Sequence, residues 1–217
     1  MKLVCFAVKE EAKAFQRLAG GAADIAVLVT GIGRRNAEKS FRAAIAQEKP
    51  ELVITSGFAG GLNPSLVLGD IVFDADPETK LEAALITAGA KSGKFFCADR
   101  IASTAREKHA LRLQTGADAV EMESDTIRAV CREHKILAAT VRVILDTADE
   151  DLALDFNQFM NSEHQMDTAK LAWAVAKSPG KVGALLRLQK QSKEAAEKLA
   201  VVLMNILDSA TPLQRGG

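Results

Sequence analysis

The chain has no tyrosine and one tryptophan against nine phenylalanines in 217 residues. An aromatic platform for a flat ligand would therefore rest mostly on phenylalanine. Its three cysteines, Cys5, Cys97 and Cys131, are widely spaced and odd in number. That speaks against a disulfide framework, and no CxxC or Cys/His spacing marks a zinc site. Each cysteine reads as a small apolar core residue in a reducing compartment, so a cytoplasmic location is expected. Net charge is lacking too, with 28 basic residues against 28 acidic ones. The balance gives no electrostatic reason to expect nucleic acid or an anionic membrane as partner. No apolar run has the length of a membrane span or the pattern of a secretory leader, and no stable membrane insertion is expected. A GxSxG elbow and a GxxxxGK[ST] loop are absent, as are internal repeats and linkers. The three histidines, His109, His134 and His164, sit mid-helix or in polar surroundings and form no metal-ligand cluster.

Hydrophobic residues make up 48% of the chain, enough for one domain to bury a full core without staples. Short apolar runs alternate with helical patterns. Strands are expected at 3–8, 25–30, 52–55, 69–73, 93–98 and 137–145, and a further small-residue strand leads into Glu121. Helices are expected from Lys9, over 34–47, 79–88 and 101–114, from the Glu121–Ser124 stretch to Cys131, from Asp155 toward Ala176, and over 182–207. Ser103 or Thr104 is a candidate N-cap. Phe156, Phe159 and Met160 read as core. The alternation predicts an α/β fold in a single domain, residues 1–210. Residues 211–217 read as a disordered tail.

Candidate site residues gather at strand-to-helix junctions. Glu10 and Glu11 follow the first strand, Glu121 and Glu123 the small-residue strand, and Asp146 ends the strand before it. Carboxylates in a first helical turn are ordinarily there to meet the helix dipole. In open α/β sheets, however, ligands bind outside the carboxyl ends of strands, where these residues would meet. Two glycine stretches lie at the same ends. Gly31-Ile32-Gly33 is part of a dinucleotide pattern that lacks its third glycine, and a tight turn explains it as well. Gly31, Gly33 and Arg34 remain candidates for holding phosphate. Ser56 to Pro64 reads as a glycine loop that allows close backbone approach. A site of carboxylates without metal suits general acid–base work and stabilisation of a cationic transition state. Glycosidic cleavage needs both.

The segments AVKEEAKAF, VTGIGRRNAE, SGFAGGLNPSLVLGDIV, GADAVEMES and VRVILDTAD, in that order, resemble the nucleoside phosphorylase/nucleosidase superfamily, in particular its methylthioadenosine/S-adenosylhomocysteine nucleosidase branch. The segment SPGKVGALLRLQKQSKEAAEKL is more similar to the hopanoid-associated phosphorylases of the same superfamily. The resemblance implies a central mixed, twisted sheet flanked by helices, with no metal and no organic cofactor. It implies a nucleoside substrate, with phosphate as a second substrate in the phosphorylase case, and a homodimer or higher homo-oligomer. By position, Asp146 would bond to purine N7 and donate a proton, Glu11 would orient the nucleophile and Glu123 would hold a ribose hydroxyl. Met122 would pack under the sugar. Gly57, Ala59 and Gly60 would line the junction of base and ribose, with Phe58, Ile101, Glu121 and Arg142 also in the substrate site. Phe95 or Phe96 would help enclose the base.

Several positions depart from the family's pattern. Leu145 stands where a serine usually precedes the catalytic aspartate, Phe58 replaces a small hydroxyl residue, and Ile101 falls where an aromatic residue stacks on the base. Thr55 and Ser56 stand where phosphorylases place arginines, which favours water over phosphate. The expected activity is hydrolytic release of adenine from a nucleoside such as methylthioadenosine. The alternatives are phosphorolysis of a larger 5′-substituted, hopanoid-linked nucleoside and a purine-binding protein whose catalysis has decayed.

Overall fold

The computed structural model describes residues 1–161, 170, 180 and 182–209. Its centre is an eight-stranded sheet. The elements run β1 (Lys2–Phe6), α1 (Lys9–Ala19), β2 (Ile25–Val29), α2 (Arg34–Gln47), β3 (Leu52–Gly61), β4 (Ile71–Ala75), α3 (Glu82–Thr87), β5 (Lys91–Ser92), β6 (Phe95–Cys97), α4 (Ala105–Thr115), β7 (Ala119–Glu121), α5 (Ser124–His134), β8 (Leu137–Asp146) and α6 (Val182–Ser209). The main path through the sheet is β2-β1-β3-β8-β4-β5. The neighbours β1–β2, β1–β3 and β3–β8 are parallel, whereas β4 runs antiparallel to β8. The sheet is mixed, as the family resemblance implied.

Side chains alternate across the strands and divide the core in two. From β1, Val4 and Phe6 point into a layer with Phe15 of α1 and Leu199, Leu203 and Ile206 of α6. Leu3 and Cys5 point the other way, onto Phe41 of α2 and Ile127 and Val130 of α5. The amphipathic C-terminal helix thus packs on the sheet side of α1 through its second half. Among the described residues no helix is long and apolar enough to cross a membrane.

Four expectations need correction. First, the glycine stretch after Thr55 is strand rather than loop. β3 continues to Gly61, pairs with β8 through a bulge at Ala59/Gly60, and then pairs antiparallel with β7 at Gly60 and Gly61. The small residues let β3 keep β8 on one side as far as Gly60 while β7 follows β1 as its partner on the other. Second, α4 begins at Ala105, where Thr104 caps it by accepting from Glu107 N at 3.2 Å. Residues 101 and 102 are therefore free to line the site. Third, no helix starts at Asp155. Phe156–Phe159 is a single 3-10 turn, and Met160 returns to extended backbone. Side chains compete for the backbone here: Asp155 Oδ1 accepts from Asn157 N at 3.1 Å, and Asn157 bonds both N and O of the distant Ile101, each at 2.9 Å. The remainder of that expected helix, and the tail 211–217, lie outside the described residues. Fourth, the helix expected over 79–88 is a 3-10 turn at Pro77–Thr79 followed by the short α3.

Candidate active site

A cavity of about 230 Å³ opens at the carboxyl ends of the strands. The chain delivers Ala7 and Val8 from the end of β1, Phe58 to Gly60 from β3, Val120 to Glu123 from β7, and Leu145 and Asp146 from β8. This is the rim where an α/β sheet presents its ligand site. Glu11, Glu123 and Asp146, which stand 135 residues apart at their extremes in the chain, all line it.

Glu11 sits in the first turn of α1, but its carboxylate turns back on the strand ends. It accepts from Ala7 N at 3.1 Å, Val8 N at 3.3 Å and, across the sheet, Phe58 N at 2.9 Å. The approach to β3 is possible because residue 57 has no side chain. A Cβ on Gly57 would lie 2.7 Å from the Glu11 carboxyl carbon, and the glycine's φ of +135° is strained for any other residue. Gly57→Ala is accordingly expected to cost about 1–3 kcal/mol of stability through overpacking. Denaturant unfolding would measure it, and an unchanged midpoint would mean that Glu11 is not held there. Burial raises the Glu11 pKa, against the Arg142 charge and the three backbone N–H groups.

Glu121, Glu123 and Arg142 form one buried network. Glu121 Oε2 accepts from Glu123 N at 2.9 Å and Ser124 N at 2.7 Å, and its Oε1 accepts from Ser124 Oγ at 2.7 Å. Its carboxylate thus caps α5 rather than standing in the first helical turn. Glu123 is the N-cap residue of α5, and its Oε1 accepts from Gly33 N at 2.9 Å. Arg142 donates through one terminal nitrogen to Glu121, at 2.7 Å, and to Glu123, at 3.3 Å. Its side chain is 2% exposed, and its Nε has no partner among the described residues. Burial pushes the Glu123 pKa up to about 7, helped by the charges of Glu121 and Glu11 and opposed by Arg142 and the Gly33 N–H.

Asp146 ends β8 under the glycine step of β3. A Cβ on Gly60 would stand 3.2 Å from its Oδ2 and 3.2 Å from Val120 Cγ1. The carboxylate forms an ion pair with Lys108 of α4, whose side chain is fully buried. Burial raises the Asp146 pKa and the Lys108 charge opposes it. The site thus holds four carboxylates: Asp146 beside a lysine, Glu121 and Glu123 sharing an arginine, and Glu11 held by backbone N–H groups.

Residues 6–76 and 72–177 match the family model of the phosphorylase superfamily. The chain belongs to the phosphorylase superfamily. A curated relative, the 5′-methylthioadenosine/S-adenosylhomocysteine nucleosidase of Glaesserella parasuis serovar 5, is 30% identical over 172 residues, which cover 63% of this chain and 74% of the relative. Among solved structures, the nucleosidase of the same name from Helicobacter pylori superposes with a TM-score of 0.70 at 20% identity, covering 96% of this chain and 97% of that one. The futalosine hydrolase of Helicobacter pylori has the same TM-score, 0.70, at 19% identity over 96% and 97% of the two chains. At that identity the structures show a shared fold. As a superfamily member the chain is an enzyme of the nucleosidase or phosphorylase kind.

Within this superfamily fold, the other candidate residues fall into two groups. Met122, Glu121, Phe58, Ala59, Gly60, Ile101 and Arg142 line the cavity together with the three carboxylates. Gly57, Gly31, Gly33 and Arg34 stand behind its wall. The Gly31 N–H goes to Ala7 O at 3.1 Å and the Gly33 N–H to Glu123. The Arg34 guanidinium reaches Asp99 at 3.1 Å and Asp125 at 3.0 Å, and also donates to Cys97 O. Phe95 and Phe96 do not enclose the cavity. They lie on opposite faces of the short β6, in separate apolar clusters with Val72 and Leu62 respectively. Phe156, expected in the core, lines the cavity instead, because the 3-10 turn anchored by Asn157 brings it there. Ile32, Leu152 and Leu188 also complete the wall without having been singled out. Among the described residues no group of three or more His, Cys, Asp or Glu side chains is placed to hold a metal ion.

Proposed function

We propose that the chain hydrolyses the N-glycosidic bond of an adenine-type purine nucleoside, such as methylthioadenosine or S-adenosylhomocysteine, and releases the base. The observation that carries this reading is the meeting of Glu11, Glu123 and Asp146 around one cavity, in three different electrostatic settings. Glu11 contacts the strand at Phe58 and Asp146 lies beside Gly60. Those positions are two residues apart, about 7 Å along a strand, which is the scale of a nucleoside's ribose and base together.

In this reading Asp146, protonated, donates to purine N7 as the bond between C1′ and the base nitrogen breaks. The electron pair leaves with the base, and the sugar acquires oxocarbenium character. Glu123 accepts a hydrogen bond from a ribose hydroxyl, and its charge supports the developing cation. Glu11 orients a water molecule, which attacks C1′ and passes its proton to the Glu11 carboxylate. The apolar side chains of Met122, Phe58, Ile101 and Phe156 enclose the substrate and keep bulk water out. The engagement of Gly31, Gly33 and Arg34 by protein groups supports water over phosphate as nucleophile. Relatives named as nucleosidases support the same direction. A homodimer is the assembly we infer.

Release of adenine from methylthioadenosine, followed with and without inorganic phosphate, tests the reading. Turnover without phosphate is the expected result. Strict phosphate dependence would favour phosphorolysis of a larger 5′-substituted nucleoside, and tight adenine binding without turnover would favour a decayed site.

A further inference from the structure

Lys108 is the buried charge that the proposed chemistry leaves unexplained. It lies on the inward face of α4, in line with the part-buried Ala105 and Leu111, where an apolar residue would ordinarily sit. Its side chain has no exposure to solvent. An ammonium is expensive to bury unless all its donors are met. Here the ammonium meets three oxygens, one in an ion pair and two in hydrogen bonds. One is the Asp146 carboxylate, and the others are the carbonyls of Thr147, at 2.8 Å, and Glu150, at 2.7 Å. All three acceptors come from the five residues that leave β8. The ammonium therefore draws the turn after the strand around itself and fixes the side chain and backbone of that turn together.

The rest of the surroundings give Asp146 little other support. Leu145 before it offers no hydrogen bond, and Gly60 of β3 and Val120 of β7 present no polar side chain to it. Among the described residues no other side chain donates to Asp146. Besides Lys108, the charged group facing it is Glu150, in the loop after β8, which opposes its ionisation. His109, next to Lys108 on α4, is exposed and paired with Asp149 at 2.8 Å.

We propose that Lys108 is a positioning residue for the reaction: its buried ammonium clamps one oxygen of Asp146 and the turn 146–150, and so aims the other oxygen at the purine base. The inference rests on the reading of Asp146 as the proton donor. The clamp also sets the balance of the acid, since a fixed positive charge favours the carboxylate. An acid works while protonated, so turnover falls as pH rises through its pKa. Without the lysine charge that fall moves to higher pH, while a carboxyl group free to turn delivers its proton less often.

The test is a pair of variants, Lys108→Met and Lys108→Gln, assayed by adenine release from methylthioadenosine across pH, with folding checked by thermal melting. Both are expected to lower kcat by about tenfold to a hundredfold, as loss of alignment does. KM should stay within about twofold, and the alkaline limb of the kcat profile should shift upward. The glutamine variant keeps a donor without the charge, so it should recover part of kcat but not the wild-type pH limb. A folded variant of either kind with wild-type kcat and an unmoved limb overturns the proposal. So does a failure of both variants to fold, which would make the pair a folding element. Asp146→Asn is assayed beside them. If it retains full turnover, the reading of the site itself fails. If it is inactive while the Lys108 variants behave as wild type, only the role of Lys108 fails.

Discussion

Replacing Asp146 by asparagine is expected to lower kcat for adenine release by about a thousandfold, within the span that a positioned acid contributes. Asparagine has nearly the same shape and can still hydrogen-bond to a purine nitrogen. What it lacks is a proton to give. Base binding should therefore remain measurable while turnover is lost, which separates the acid from the contact. The environment supports the assignment. Asp146 is largely enclosed, and burial raises its pKa toward the working range of an acid. Calorimetric titration with adenine and single-turnover release from methylthioadenosine would measure the two effects separately. Turnover within tenfold of wild type would rule out Asp146 as the proton donor.

Arg142→Met is expected to have the largest effect on stability, about 3–5 kcal/mol, the usual consequence of removing one partner from a buried charge network. The guanidinium faces Glu121, Glu123 and Glu11 at once, and methionine fills similar space without the charge. The loss should depend on pH, with a definite sign. Glu123 and Glu11 already have pKa values above their ordinary 4.5 in the folded protein, and Arg142 holds both down. Removing it raises them further. A carboxyl group with a raised folded pKa contributes stability that is full below its unfolded pKa and lost as pH rises through the folded one. The deficit of the variant should then be smallest near pH 4.5 and grow through neutrality. Urea midpoints at acid and neutral pH would show it, and an equal deficit at both would contradict the charge account.

The carboxylates were legible because each stands where an apolar run stops. A strand end is a position that periodicity alone can find, and in this fold strand ends face one rim. Glu11 after residues 3–8, Glu123 after the small-residue strand and Asp146 after 137–145 all follow from that rule. The glycines of β3 were legible as places of close approach. Their being strand was not, because pairing with β7 on one side and β8 on the other is a tertiary fact. Lys108 was hidden for a similar reason. Its spacing to Ala105 and Leu111 marks one helix face, but only the packed structure tells which face is inward. Phe156 depended on Asn157 bonding to the backbone of Ile101, 56 residues away, and local propensity contains no trace of it. Phe95 and Phe96 misled because aromatic residues near a site in the chain were read as near it in space.

The pairing of β3 with β7 on one edge and β8 on the other has a consequence for how the cavity forms during folding. Residue 11 meets residue 58 on that strand, residue 60 meets residue 146, and residue 33 meets residue 123. Every wall of the catalytic chamber is thus joined by contacts distant along the polypeptide, the kind that slow a chain's search for its native topology. A nascent or nicked molecule containing only the first hundred or so residues would have Glu11 and Phe58 but neither Glu123 nor Asp146 opposite them. A closed cavity therefore requires the final strand to pair with the third.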